Sequence, residues 1–478
     1  MKLIYDVEDK PKLGQLLVFA IQQLLAIMTA TLVVPIIINS GVEEANMSSA
    51  AALFGAGIGT LIYVLFTKKK SPVFLGSSFA FIGSMLGAFA GATTAALGYL
   101  GLILGAVLAG LVYVVIALIV KFSGVNWVNK LMPAVVIGPT VAIIGLSLAG
   151  NAVGDLVTGG VKVAVPDYSV NVVDGVASIV EGIELKSVAS PLAALLAGLV
   201  TLGVTMICSV YGKKSGKLIP FIYGILSGYA FCLVMTLIGN ATDCDAIKLL
   251  SFDSFKALTA DGVGLGTFFS IPDFTFMSAF GAFGEINGSY IGTLFAAYVP
   301  VAFVVFAEHI ADHKNISSII ERDLLEDPGL HRTLLGDGVG SMVGAIFGGC
   351  PNTTYGESIG CVAITKNASV YTIITAAIGA IVISFISPFI AFVNSIPSCV
   401  MGGVCMALYG FIAVSGLKMV QGIDLNKNKN LFVVSVILIA GIGGLTVNFG
   451  DIAITEVACA LILGILANLL LKNGPEEE

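Results

Sequence analysis

The chain has 478 residues, of which 57% are hydrophobic and only 11% charged, with a net charge of −7 and a mean hydropathy of +1.00. So little polar surface excludes a soluble domain of this length, and the lack of a basic patch excludes nucleic acid as a partner. Repeated apolar runs of about twenty residues, separated by short polar breaks, predict an all-α polytopic protein embedded in a lipid bilayer.

Residues 1–12 are charged and carry no cleavable signal pattern, so the first apolar run is read as a retained span. Spans are expected at about 13–38, 49–67, 73–89, 95–120, 131–150, 189–210 and 218–239. A second set follows at about 289–312, 333–349, 353–366, 369–393, 397–416, 430–447 and 452–471. The third and tenth are short and rich in glycine or polar residues. The polar stretches 151–188 and 240–276 read as external loops with some local structure, and 473–478 as a disordered tail. The cysteines lie mostly inside apolar runs, where they read as small buried hydrophobes; no spacing among them argues for disulfides or metal.

Loop charge tests the count. With the N-terminus cytoplasmic, the inside loops hold Lys68–Lys70, Lys121 and Lys130, Lys213, Lys214 and Lys217, Lys314 with Arg322 and Arg332, Lys366, then Lys418, Lys427, Lys429 and Lys472. The outside loops are acidic and poor in lysine. This asymmetry holds only if both weak spans cross the membrane, which gives about 14 transmembrane segments and two cytoplasmic termini. An odd number in each half implies two inverted 7-segment repeats, with the weak third and tenth segments in corresponding places.

Ionisable residues inside a bilayer are costly and are read as functional candidates. Glu308 follows the run Val299–Ala307, and an apolar pattern through Ile320 would leave it deep in a helix. Asp312, four residues on, shares its face. His309 and His313 are also four apart, but a metal site would need a third ligand that no nearby spacing offers, so a solvated helix end is the expectation for them. The stretches Leu75-Gly76-Ser77-Ser78-Phe79-Ala80-Phe81 and Thr353–Gly360 suit extended backbone better than full helices. Extended backbone at membrane depth survives only where protein or a cavity surrounds it, so the two pieces are expected to pair with each other and aim free amides at a central pocket.

Glu308, Glu357, Phe79, Tyr355 and those amides then form one site, with no lysine or arginine nearby. Such a pocket suits a flat neutral molecule with N–H donors and carbonyl acceptors, with Phe79 or Tyr355 against its face. A carboxylate held away from water can also carry a proton near neutral pH and couple transport to it.

The motifs Pro351-Asn352-Thr353-Thr354-Tyr355-Gly356-Glu357, Ala307-Glu308-His309, Leu75–Phe81, and Asp323-Leu324-Leu325 with Asp327-Pro328-Gly329-Leu330-His331-Arg332 resemble those of nucleobase–cation symporter family 2, the nucleobase/ascorbate transporters. The resemblance covers nearly the whole chain and is greatest to the bacterial uracil-carrying branch. It implies short antiparallel β-strands in segments 3 and 10. It also implies a core domain of 1–125 (segments 1–4) and 277–395 (segments 8–11). A gate domain takes 126–245 (segments 5–7) and 396–472 (segments 12–14), and 246–276 is an extracytoplasmic loop.

By position, the resemblance makes Glu308 and Glu357 the two glutamates that hold the uracil ring. It places Phe79, Tyr355, Gly356 and Ser78 where they offer backbone contacts or packing to the base, with Ala30 as a small residue lining the same pocket. Proton coupling falls to Glu308 and Asp312. Ser358 stands where the uracil branch usually has asparagine, and Asp312 where some members have a histidine.

The implied function is a proton-coupled symporter (a permease) importing uracil across the bacterial inner membrane. It is not an enzyme, needs no cofactor beyond the proton gradient, and has a homodimer among the implied assemblies. The alternatives are a carrier of another nucleobase (xanthine, guanine, thymine) on the same fold, and an anion transporter of the same architecture. The second would need a positive element that the site lacks. An intramembrane metalloenzyme would need ligands beyond His309 and His313.

Overall fold

The computed structural model describes residues 3–471 apart from 125, 132, 174–175, 214–215, 217–218, 261 and 450–451. Lys214, Lys217 and Lys472 of the expected inside loops, and the tail 473–478, therefore lie outside the described residues.

The protein is mostly helical. The long helices of its first half are α1 (Leu13–Gly41), α2 (Ser49–Phe66), α4 (Ala95–Ser123) and α5 (Ala134–Ser147); between α2 and α4 come strand β1 (Leu75–Ser77) and the short α3 (Ile82–Ala90). Next are α6 (Ala149–Leu156), a hairpin of β2 (Lys162–Val173) and β3 (Val176–Ser187), α7 (Pro191–Tyr211) and α8 (Pro220–Thr242). The second half brings α9 (Gly288–Ile320), α10 (Leu330–Gly348), β4 (Asn352–Thr354), α11 (Gly356–Thr365), α12 (Val370–Ile383) and α13 (Ser387–Asn394). It ends with α14 (Ser398–Gln421), α15 (Asn428–Ile442), the strands β5 (Val447–Phe449) and β6 (Ile452–Ile454), and α16 (Glu456–Leu470). Every stretch read as a span coincides with a helix or with a strand running into a helix. Among the described residues, eight helices are long and apolar enough to cross a membrane.

Contacts divide the chain into two compact units. One comprises Met1–Leu148, Phe268–Ile390 and Leu408–Glu478, and the other Ala149–Thr267 with Ala391–Ala407. In the second unit, α7 and α8 pack through hydroxyls and glycines: a Cβ on Gly224 would lie 2.0 Å from Thr205 Oγ1, and one on Gly228 1.9 Å from Thr201 Oγ1. The strands β2 and β3 pair antiparallel from Lys162↔Ser187 to Val173↔Val176, a regular hairpin inside the stretch read as an external loop.

The first unit holds the candidate site, and close helix packing builds it. Lipid gives apolar helices no hydrophobic reason to associate, so they pack through small residues. The α2–α10 seam does this: a Cβ on Gly55 would lie 2.4 Å from Gly344 O, one on Gly59 2.8 Å from Gly340 O, and one on Gly348 2.6 Å from Ala52 Cα. The seam brings α10 and the strand that follows it against α2 and the strand that follows that helix. β1 and β4 then pair antiparallel, Leu75↔Thr354, Gly76↔Thr353 and Ser77↔Asn352. Two further bonds extend the ladder, Ser78 N to Pro351 O at 2.9 Å and Tyr355 N to Phe74 O at 3.2 Å. Its flanks are satisfied by side chains. Thr60 Oγ1 accepts from Leu75 N at 2.9 Å, and Asn352 Nδ2 donates to Gly55 O at 3.0 Å. Each backbone group left unpaired at this depth would cost several kcal/mol, which is why the pairing expected of segments 3 and 10 forms.

Candidate functional site

The end of the β1–β4 ladder opens on a cavity of about 50 Å³. Ser78, Phe79 and Ala80 line it from the turn after β1, and Thr353 to Glu357 from the junction of β4 and α11. Glu308 enters from α9, while Ile144 of α5 and Ile412 of α14 close the apolar side. None of the lining residues is a lysine or arginine.

Each element sets its residue for a physical reason. Helix α9 runs unbroken from Gly288 to Ile320, with Pro300 inside it, so Glu308 lies more than three turns before the helix ends. It is half-buried, in contrast to its sealed neighbours Ala307 and His309. Helix α11 begins where β4 ends, with Tyr355 as its N-cap residue and Glu357 in its first turn. The first amides of a helix have no intrahelical acceptor; that of Glu357 is met by its own carboxylate, which the positive helix end also favours. A Cβ built on Gly356 would meet nothing within 4 Å, so the backbone there faces open space.

The other expected site residues take distinct places. Tyr355 lines the cavity, yet its hydroxyl donates to Ser77 O at 2.6 Å. Its ring fills the space over Gly76, where a Cβ would lie 2.3 Å from Tyr355 Cε2. Tyr355 therefore braces the strand pair, and Phe79 is the aromatic of the wall, 5.9 Å edge-on from the ring of Tyr409. Ala30 is buried on α1 and is not among the lining residues. Asp312 sits one turn beyond Glu308 and accepts from Thr354 Oγ1 at 2.8 Å. Ser358 is fully buried; its hydroxyl accepts from Phe74 N at 3.0 Å and bonds Gln23 Nε2, anchoring α11 to α1 and to the chain entering β1.

The histidines correct the sequence reading. His309 and His313 are 1% and 0% exposed, not solvated, because α9 continues past them between α2, α4 and α10. His309 Nδ1 is 2.6 Å from Asp337 Oδ2 and its Nε2 is 3.0 Å from Thr333 Oγ1. His313 Nδ1 is 2.7 Å from His309 O, and its Nε2 is 2.6 Å from the Tyr63 hydroxyl, itself 2.7 Å from Ser71 Oγ. All four ring nitrogens are engaged by protein partners, which leaves neither ring free for a metal. Asp337 went unremarked in the sequence, although an aspartate between two glycines inside an apolar run is the kind of residue that flags a functional site.

A carboxylate-lined cavity at the crossing of two short strands, within a bundle of long apolar helices, defines a membrane carrier. The comparisons place it further. The chain belongs to the Permease family, whose sequence profile matches residues 14–449. It is 38% identical over 479 residues to the uracil permease of Bacillus caldolyticus, spanning 99% of this chain and 96% of that protein. It is 36% identical over 481 residues to the uracil permease of Bacillus subtilis (strain 168), spanning 100% of this chain and 97% of that protein. Among solved structures, the transmembrane domain of the cyanobacterium bicarbonate transporter BicA matches with a TM-score of 0.57 at 13% identity, covering 94% of this chain and 96% of that one. At that identity the match speaks for the fold alone.

Proposed function

We propose that the protein is a proton-coupled uracil importer of the bacterial inner membrane. One observation carries the reading: Glu308 and Glu357 line the same cavity at the N-terminus of α11, with no lysine or arginine in its wall. Uracil is flat and neutral and presents ring N–H donors alternating with carbonyl acceptors. The glutamates accept from the N–H groups, the amides near Gly356 donate to a carbonyl, and Phe79 packs on the ring. The same acidic wall disfavours an anion, which would need a positive element there. Near full-length similarity to proteins named uracil permease supports the substrate.

In this reading the chain crosses the bilayer fourteen times as two inverted repeats, with both termini cytoplasmic. The core of 1–125 and 277–395 carries the site, and moves against a gate of 126–245 and 396–472. Ser78 shapes the pocket, Glu308 and Asp312 handle the coupled proton, and the assembly is a homodimer. Uracil and a proton bind together from outside, the half-loaded carrier does not cross, and both leave inside.

The test is uptake of labelled uracil into proteoliposomes under an imposed proton gradient, with unlabelled uracil, xanthine, guanine and thymine as competitors. Uracil alone should compete fully, and uptake should collapse with the gradient. Uptake that ignores excess uracil ends the substrate reading, and uptake indifferent to the gradient ends the coupling.

A further inference from the structure

Asp337 of α10 is fully buried, and the substrate site makes no use of it. Its Oδ2 meets His309 Nδ1 at 2.6 Å. Its Oδ1 and the hydroxyl of Tyr113 are buried with no hydrogen-bond partner among the described residues, and the Tyr113 ring lies 6.3 Å from that of His309. The titratable groups facing this pair are Tyr63 of α2, Tyr113 of α4, and Glu308, Asp312 and His313 of α9; none is a lysine or arginine.

Counting hydrogens decides what the pair can do. His313 Nδ1 faces a carbonyl, His309 O, so it must carry a hydrogen; its Nε2 then accepts from Tyr63, which accepts from Ser71. His313 is fully bonded as a neutral ring. His309 is different, because its Nε2 partner, Thr333 Oγ1, also lies 3.0 Å from Leu330 O and owns a single hydrogen. If Thr333 donates to His309, then Nδ1–H donates to the Asp337 carboxylate, and the pair holds one proton with a net negative charge. If Thr333 turns to Leu330 O, then His309 Nε2–H donates to Thr333, and a second proton lies between Nδ1 and Oδ2, leaving the pair neutral. Rotating one hydroxyl lets His309 stay bonded at each nitrogen in either protonation state.

We propose that the His309–Asp337 pair is a second proton-binding site of this carrier, distinct from the substrate glutamates, that gains and loses one proton in each transport cycle with Thr333 as its switch. The proposal rests on the proton-coupled reading above. The proton arrives from water through the cavity at Glu308 and departs the same way once the cavity opens inward. Its uptake removes a negative charge beside Glu308 and Asp312, so the loaded pair lets Glu308 meet the substrate N–H groups without a like charge behind it.

The experiment compares the unaltered chain, Asp337→Asn and Thr333→Val in proteoliposomes, reading labelled uracil and internal pH together, with infrared titration of the purified proteins. Asp337→Asn should move one proton fewer per uracil while uracil binding and counterflow persist. Thr333→Val, which keeps the carboxylate, should shift the pH profile of uracil binding, and it stands in should Asp337→Asn fail to fold. An unchanged proton-to-uracil ratio in Asp337→Asn, an unchanged pH profile in Thr333→Val, or loss of uracil binding by a folded Asp337→Asn overturns the proposal. The infrared arm separates it from the coupling itself. An unaltered chain that moves no protons with uracil fails the coupling. A carboxylic-acid stretch or an imidazolium band that titrates there and is missing from Asp337→Asn still establishes the proton site, and the absence of both bands from the unaltered chain overturns it.

Discussion

Thr354 donates its hydroxyl to Asp312 across 2.8 Å, joining the strand that leads to Glu357 to the helix that carries Glu308. A hydrogen bond of this kind contributes about 0.5–1.5 kcal/mol, and losing one partner leaves the other to bear its desolvation cost. Thr354→Val keeps the shape and removes the donor. It should lower uracil uptake by about tenfold and reduce the apparent melting temperature, and Thr354→Ser should restore both. A valine variant that matches the parent in uptake and melting would show that the tie carries nothing.

Glu308→Gln and Glu357→Gln should each cut uracil affinity by about a hundredfold or more. The amide keeps an acceptor oxygen but loses the charge, and adds donors facing ring N–H groups that need acceptors. Calorimetric binding to the purified variants checks this, with thermal melting to establish that the fold is intact. Either variant binding uracil as the parent does removes that glutamate from the site.

Two glycines test wall against frame. Gly76→Ala places a methyl 2.3 Å from Tyr355 Cε2 and 2.9 Å from Thr31 Oγ1, in a strand held on both sides. Overpacking of this kind costs about 1–3 kcal/mol, so melting should fall together with uptake. Gly356→Ala meets nothing within 4 Å and sits at the first position of α11, where alanine is well tolerated. Its melting temperature should hold while uracil affinity drops, because the methyl enters the space where the base would lie. Reversal of the two patterns would mean that Gly356 is framework and Gly76 is not.

Much of this was legible in the sequence because membranes narrow the choices. Apolar runs marked the helices, and the lysine asymmetry required that the weak stretches at Gly76 and Thr353 be treated as part of the membrane region. Once there, their backbone had to find partners, and they found each other. Glu308 was recognisable as deep because the pattern through Ile320 continued past it. What stayed hidden depends on which helices meet. Nothing in the run His309 to His313 says that Asp337, Thr333 and Tyr63 surround it, and a four-residue spacing reads the same on a wet helix end as on a sealed one. The direction of the Tyr355 hydroxyl was hidden too, since it follows from the strand register with Ser77.

The N-terminal segment, read only as a charged lead-in, is a strap. Ile4 N donates to Lys366 O at 2.7 Å, Ala368 N to Tyr5 O at 2.9 Å and Val370 N to Val7 O at 3.0 Å, so residues 4–7 run along the turn between α11 and α12. Ser369 Oγ adds a bond to Asp9 O at 2.6 Å, and Val7 is fully buried. On the other side, Arg322, just past the end of α9, holds Asp6 Oδ2 at 2.5 Å. The strap thus joins the far ends of the two helices that bear Glu308 and Glu357. Its strength lies in the backbone bonds at about 1 kcal/mol each, whereas a half-exposed ion pair such as Arg322–Asp6 contributes about 0–1 kcal/mol and is screened by salt. Deleting residues 3–9 should lower the apparent melting temperature and slow uracil uptake, while Arg322→Ala should change both only slightly and lose even that difference in high salt. If Arg322→Ala proves as damaging as the deletion, the ion pair and not the backbone holds the strap in place.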